Sequence, residues 1–268
     1  MSIDFVLVSG DCVSDYADFW GPVSFAWKHV VGVEPVLIFV SDTEETDIQP
    51  SPSGCGFVKM VKRVQGVPIA LQAQVARLYA ASFFPEARCL TSDLDMLPLS
   101  ADYFLHTASA VPRTAWGVWS ADAYAGEILP AYPMCYHLAL GSVYSEVLGL
   151  DRSFEAFLQS LPFEETGWNT DEQHVYSRLR DWPGEVVHFA RGWPGGFAAR
   201  RLDRAFWRFD PEAIRAGHFI DCHSLRPYKT YRLEVDAVLR ALLPECYPEL
   251  VESTDRALEW TQRHRCET

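Results

Sequence analysis

Residues 3–95 constrain the fold most, because short β-rich runs alternate there with stretches of helical periodicity. Ile3 to Val8 and Pro35 to Val40 read as strands, and between them Phe19, Val23, Ala26 and Val30 recur at helical spacing across Ser14 to Val31. Gly56 to Val64 reads as a further strand, and Ile69 to Phe83 as a helix carrying Leu71, Val75, Leu78 and Phe83 on its apolar face. Arg88 to Ser92 then reads as a strand that ends in Asp93. Such alternation predicts an α/β fold with a mostly parallel central sheet flanked by helices, in which ligands bind beyond the carboxyl ends of the strands. Asp93 falls at such an end.

A chain of 268 residues, 49% hydrophobic and 22% charged, is long enough for one large core, and a single domain over 1–268 is expected. Beyond about residue 110 the regularity weakens. Aromatic-rich strands (Trp116 to Trp119, Met134 to Leu140) mix with short helical runs near 142–148 and 171–179, so 111–231 reads as a smaller, irregular addition to a core formed by 1–110. The run Gly192-Trp193-Pro194-Gly195-Gly196-Phe197 is the strongest loop signal and suits a lid. Helical spacing over 232–243 and 252–263 predicts closing helices within 232–268.

Thirty-six acidic residues against twenty-three Lys and Arg give a formal charge of −13, which opposes nucleic acid and anionic lipid as partners. An anionic substrate therefore needs a local basic or metal-bearing pocket. Seven cysteines, odd in number and never spaced as C-x-x-C, predict reduced thiols. The opening Met-Ser-Ile-Asp-Phe-Val-Leu-Val suggests no signal peptide, and no apolar stretch nears the roughly 20 residues of a membrane span. These features predict a cytoplasmic protein without a transmembrane anchor.

In Leu90-Thr91-Ser92-Asp93-Leu94-Asp95-Met96 two carboxylates lie two residues apart beyond a strand, so extended backbone sends both to one face. Clustered carboxylates are costly unless a cation neutralises them, and a hard divalent ion accepts a few protein oxygens while leaving places for phosphate and water.

These residues resemble the GT-A-fold glycosyltransferases, in which a strand ends in an Asp-x-Asp that binds Mn²⁺ or Mg²⁺ and the donor diphosphate. In the glycogenin-like group the preceding helix carries a donor-facing Arg, and Arg77 in Gln74-Val75-Ala76-Arg77-Leu78-Tyr79 is similar. An Asp-Gln pair near the reacting sugar corresponds to Asn169-Thr170-Asp171-Glu172-Gln173, where the pair becomes Asp-Glu-Gln. A late metal-binding His followed by a basic residue, proline and an aromatic resembles His223-Ser224-Leu225-Arg226-Pro227-Tyr228, with tighter spacing and with His218 as a second candidate.

The resemblance implies a GT-A (Rossmann-like) fold, with a nucleotide-sugar-binding half over 1–110 and an acceptor-side half with the metal His over 111–231. The implied activity is transfer of a hexosyl or pentosyl group from a nucleoside-diphosphate sugar, a UDP-sugar by family precedent, to a glycan, glycoprotein or other hydroxyl acceptor. Asp93, Asp95 and His223 would hold the metal, Mn²⁺ ahead of Mg²⁺ because a nitrogen ligand suits the softer ion. Arg77, Asp93, Arg226 and Lys229 would contact the donor. Asp171 or Glu172 would take the acceptor's proton or position the acceptor.

Trp168, Trp193 and Tyr228 adjoin these motifs and suit a sugar face or nucleobase. Arg200, Arg201, Arg204 and Arg208 read as a solvated helix face, with contact to donor phosphates or an acidic glycan as the alternative, and His29, His106, His137, His174, His188 and His264 as structural or exposed. Alternative readings are a nucleotidyltransferase acting on sugar phosphates, although Ser9-Gly10-Asp11-Cys12 lacks that class's basic Gly-rich loop, and a catalytically silent glycan-binding protein.

Overall fold

The structure is a computed structural model describing residues 3–124, 130–161, 169–190 and 200–266. Its framework is parallel. Strand β1 (Phe5–Asp11) pairs with β2 (Glu34–Ser41) from Phe5↔Glu34 to Asp11↔Val40; β2 pairs in turn with β4 (Phe57–Lys62), and β1 with β5 (Arg88–Thr91). The two-residue β3 (Gln49–Pro50) lies antiparallel on the outer edge of β4.

Both faces of this sheet are covered, which is why β1 and β2 are apolar along most of their length instead of alternating with polar residues. Val6, Val8, Leu37 and Phe39 point to one face, packed with Val23 and Phe25 of α1 (Trp20–Ala26). Leu7, Val36, Ile38 and Val40 point to the other, against Leu71, Val75 and Leu78 of α2 (Ile69–Tyr79). The expected helix over Ser14 to Val31 is composite, with α1 preceded by a 3₁₀ turn (Asp15–Phe19) and followed by a π turn (Trp27–Val31).

Short elements follow β5: β6 (Met96–Pro98), α3 (Ala101–Ser109), β7 (Trp116–Trp119), β8 (His137–Leu140), α4 (Gly141–Leu148), α5 (Phe154–Gln159), α6 (Thr170–Asp181) and β9 (Val186–Phe189). Part of 111–231 joins the main sheet. β8 pairs antiparallel with β5 and β7, and β7 pairs parallel with β9, so one sheet runs β3-β4-β2-β1-β5-β8-β7-β9. Four of its seven pairings are parallel. The result is a mixed α/β fold with a large central sheet flanked by helices.

A second sheet forms at the carboxyl end of β5 from β6, β10 (Arg201–Asp203) and β11 (Asp221–His223), in the order β10-β11-β6. Beyond α7 (Pro211–Arg215), α8 (Arg232–Leu242) and α9 (Tyr247–Arg263) close the chain as expected, with Leu250 and Ala257 of α9 joining the core around α1.

The return of α9 brings Cys266 to the end of β1, where it is disulfide-bonded to Cys12 across 254 residues of sequence. The expectation of seven reduced thiols is therefore wrong for this pair, since so long a separation leaves no local signature. Cys55, Cys89, Cys135, Cys222 and Cys246 are free. Among the described residues no helix is long and apolar enough to cross a membrane.

α1 packs closely on α9 at Gly21, where an added Cβ would meet the Thr254 Cα at 2.6 Å. In an open helix Gly-to-Ala gains about 1 kcal/mol in propensity. Here the clash is with backbone, and overpacking of this kind costs about 1–3 kcal/mol. Gly21→Ala is expected to lower the chemical-denaturation midpoint, against the propensity trend; an unchanged or raised midpoint would contradict the close packing.

Candidate functional site

A cavity of about 390 Å³ opens beyond the carboxyl ends of β1 and β5. Its walls include Ser9 to Asp11 at the end of β1, Ala70, Ala73, Gln74 and Arg77 on α2, Asp93 to Asp95 after β5, Asp171 and Glu172 at the start of α6, and His223. Ala70 and Ala73 leave room along α2. The entry to that helix is fixed by buried Gln72, whose amide bonds the Val64 N–H and the Val64 and Val67 carbonyls, each at 2.8 Å. At the end of β1 the Asp11 carboxylate accepts from the Val13 and Ser14 N–H groups at 2.8 and 2.6 Å, which turns the chain across the cavity mouth.

The small sheet aligns three chemically active side chains. Its register sets Asp203 opposite His223 and His223 opposite Met96, the residue after Asp95, while the Ser224 N–H donates to the Asp95 carbonyl at 2.9 Å. His223 Nε2 consequently lies 3.4 Å from Asp95 Oδ2, and its Nδ1 lies 3.5 Å from Asp203 Oδ2. Asp95 is 4% exposed, and its Oδ2 also receives Arg204 Nη1 at 2.6 Å. Burial pulls the Asp95 carboxyl upward, but hydrogen bonding and charge from His223 and Arg204 outweigh it and hold the group below the ordinary carboxylate value.

The oxygen of Asp95 and the nitrogen of His223 suit a divalent cation, and Asp203 beside the second ring nitrogen is the partner a metal-bound imidazole usually has. Asp93 is oriented differently. Its carboxylate bonds Arg77, and among the described residues the only His, Cys, Asp or Glu trio with ligand atoms within 4.8 Å of one another is Cys12, Asp42 and Cys266, whose two sulfurs are bonded together. Asp93, Asp95 and His223 therefore do not converge on one point, and Asp93 fits a cation only after leaving Arg77.

Arg77 is a buried hub. It donates to the Ser92 carbonyl at 3.2 Å, to Asp93 and to Asp171 at 3.3 Å, so it bridges two carboxylates from opposite walls of the cavity. Asp171 is 2% exposed, and burial raises its carboxyl despite the Arg77 charge. Glu172 differs: its Oε1 accepts from the Tyr124 hydroxyl at 2.8 Å, while burial, reinforced by the Asp171 charge, pushes its carboxyl up to about 7.

The basic run after residue 200 is not a helix face. Arg201 lies in β10 and donates from Nε and Nη2 to the two oxygens of buried Asp221, each at 2.9 Å, and Asp221 also accepts from Tyr136 at 3.0 Å. Arg201 and Arg204 both line the cavity. Pairing with the distant β11 decides the conformation of Arg201 to Asp203. Tyr124 and Tyr16, also in the lining, carried no sequence signal.

Arg226 sits at the rim, its Nε 4.0 Å from Asp95 Oδ2 and its guanidinium 5.0 Å from the Tyr16 ring centre. Lys229 is directed elsewhere, 3.3 Å from buried Asp18. His218 is exposed and outside the lining. Tyr228 is a core residue, fully buried with its hydroxyl on Asp236 at 2.7 Å, so its suggested ligand role is corrected. His137 is buried, with Nδ1 accepting from Trp116 at 2.9 Å, in keeping with a structural role. Trp168, Trp193 and the proposed lid at 192–197 lie outside the described residues.

No family model matches the chain, and no curated protein matches it. Similar solved structures include the galactosyltransferase LgtC in complex with donor and acceptor sugar analogs, at 12% identity and a TM-score of 0.48 over 94% of this chain and 96% of that one. Another is the glycosyltransferase GlyE of Streptococcus pneumoniae TIGR4, at 12% identity and a TM-score of 0.47 over 98% of this chain and 64% of that one, so this chain spans just under two thirds of GlyE.

Proposed function

We propose that the chain is a metal-dependent glycosyltransferase of the GT-A type, moving a hexosyl or pentosyl group from a nucleoside-diphosphate sugar, UDP first, to a hydroxyl of a glycan or glycoprotein. The observation that carries this reading is the meeting of Arg77, Asp93, Asp95, Asp171, Glu172 and His223, drawn from four separate stretches of sequence, around one cavity.

Electrostatics supports a cation. The described lining contains five carboxylates (Asp11, Asp93, Asp95, Asp171, Glu172) against three arginines (Arg77, Arg201, Arg204). A diphosphate entering such a cavity is repelled unless a cation accompanies it. Asp95 and His223 would hold that cation, with Asp93 joining them, and Mn²⁺ or Mg²⁺ there would neutralise charge on the departing diphosphate.

Arg77 orders the opposite wall. Its bond to Asp171 keeps that carboxylate turned inward, so Glu172 is the carboxylate able to meet an acceptor hydroxyl. The Tyr124 hydroxyl orients the Glu172 oxygen. With its carboxyl near 7, Glu172 can accept a proton from the acceptor at neutral pH.

Two measurements test this reading. Calorimetry should show uridine diphosphate binding with Mn²⁺ and little without it, and Asp95→Asn should abolish the metal-dependent gain; absence of nucleotide binding in every condition would sink the proposal. The second is a pH profile. Because the raised carboxyl becomes a base only as pH passes about 7, kcat/KM should climb across that range. Glu172→Gln should remove this limb and cut kcat by about 10²–10⁴-fold; a variant that keeps both the limb and the rate excludes Glu172 as the base.

A further inference from the structure

The three arginines of the cavity differ in what they hold. Arg77 is committed to Asp93 and Asp171, and Arg201 is paired through two bonds to Asp221. Arg204 alone among these three is bonded to the carboxylate oxygen that also faces His223, with Nη1 2.6 Å from Asp95 Oδ2 and His223 Nε2 3.4 Å from the same atom.

A divalent cation shared by Asp95 and His223 would stand about 2 Å from each ligand atom. Arg204 Nη1, at 2.6 Å from that same oxygen, then crowds the ion, and two positive charges at such range repel strongly in a partly desolvated site. Both cations cannot keep Asp95 Oδ2.

Arg204 is built to leave. It opens a 3₁₀ turn (Arg204–Phe206) whose backbone is fixed by the Asp203 carboxylate accepting from the Ala205 N–H at 2.8 Å. Its side chain, by contrast, is 26% exposed and reaches into the cavity. The backbone can therefore stay in place while the guanidinium swings. A guanidinium freed in a cavity that receives a diphosphate has an anion at hand whose paired oxygens match its planar fork.

We propose that Arg204 is an exchangeable counter-cation of this site: it neutralises Asp95 when the site holds no metal, yields Asp95 to the divalent ion, and then binds the diphosphate. The exchange rests on the transferase reading only for the identity of the anion. Competition between Arg204 and metal for Asp95 is independent of it.

Two titrations of the full chain separate these parts, one with Mn²⁺ alone and one with uridine diphosphate at saturating Mn²⁺, on wild type, Arg204→Gln and Arg204→Lys. Arg204→Gln should bind Mn²⁺ alone about tenfold more tightly and uridine diphosphate about tenfold more weakly, within the usual range for coupled sites. Arg204→Lys, which keeps a cation without the fork, should retain wild-type-like Mn²⁺ affinity while still losing nucleotide affinity. Opposite signs in one variant cannot come from partial unfolding, which weakens both. Unchanged or weakened Mn²⁺ affinity in Arg204→Gln, or no Mn²⁺ binding by any of the three proteins, overturns the exchange. If Mn²⁺ tightens but no protein binds uridine diphosphate, the competition stands, and the transfer to diphosphate falls together with the transferase reading.

Discussion

An almost fully buried carboxylate needs compensating charge, and Asp95 is the point at which this protein meets that need. Desolvating an unpaired carboxylate costs several kcal/mol, more than a single turn of backbone can absorb. The remedy is architectural. The small sheet β10-β11-β6 delivers His223 and Arg204 to one oxygen of Asp95, and Arg226 approaches it from the rim. Without that sheet neither the His223 ring nor Asp203 behind it would be held in place.

The same rule operates on the opposite wall, where Arg77 joins Asp93 to Asp171, and beside the cavity, where Arg201 neutralises Asp221. A chain with a formal charge of −13 thus spends its buried cations internally, leaving the cavity acidic.

What was legible in the sequence follows the same physics. Strands β1, β2, β4 and β5 lie in the covered half of the sheet, so their apolar runs announced them, and the carboxylates at the end of β5 could be placed from pattern alone. β6 and β10 are three residues each and too short for any periodicity, so neither partner of the strand that carries His223 was legible, and Arg201 and Arg204 read as a solvated helix. Joining β7 and β9 to the main sheet likewise depends on pairing through β8, a contact between distant segments that no local window encodes. Tyr124 meets Glu172 across 48 residues, and the pairing of Cys12 with Cys266 is more remote still.

That last bond makes nearly the whole chain a covalent ring. Chain ends are normally the first parts to fray, yet here the segment after α9 is fastened to the residue following Asp11, and Arg265 adds bonds to the Val13 and Ser14 carbonyls. A cut in any loop between the two cysteines would leave one molecule, its fragments still linked. Mechanical load on the C-terminal segment would pass straight to the turn at the mouth of the cavity.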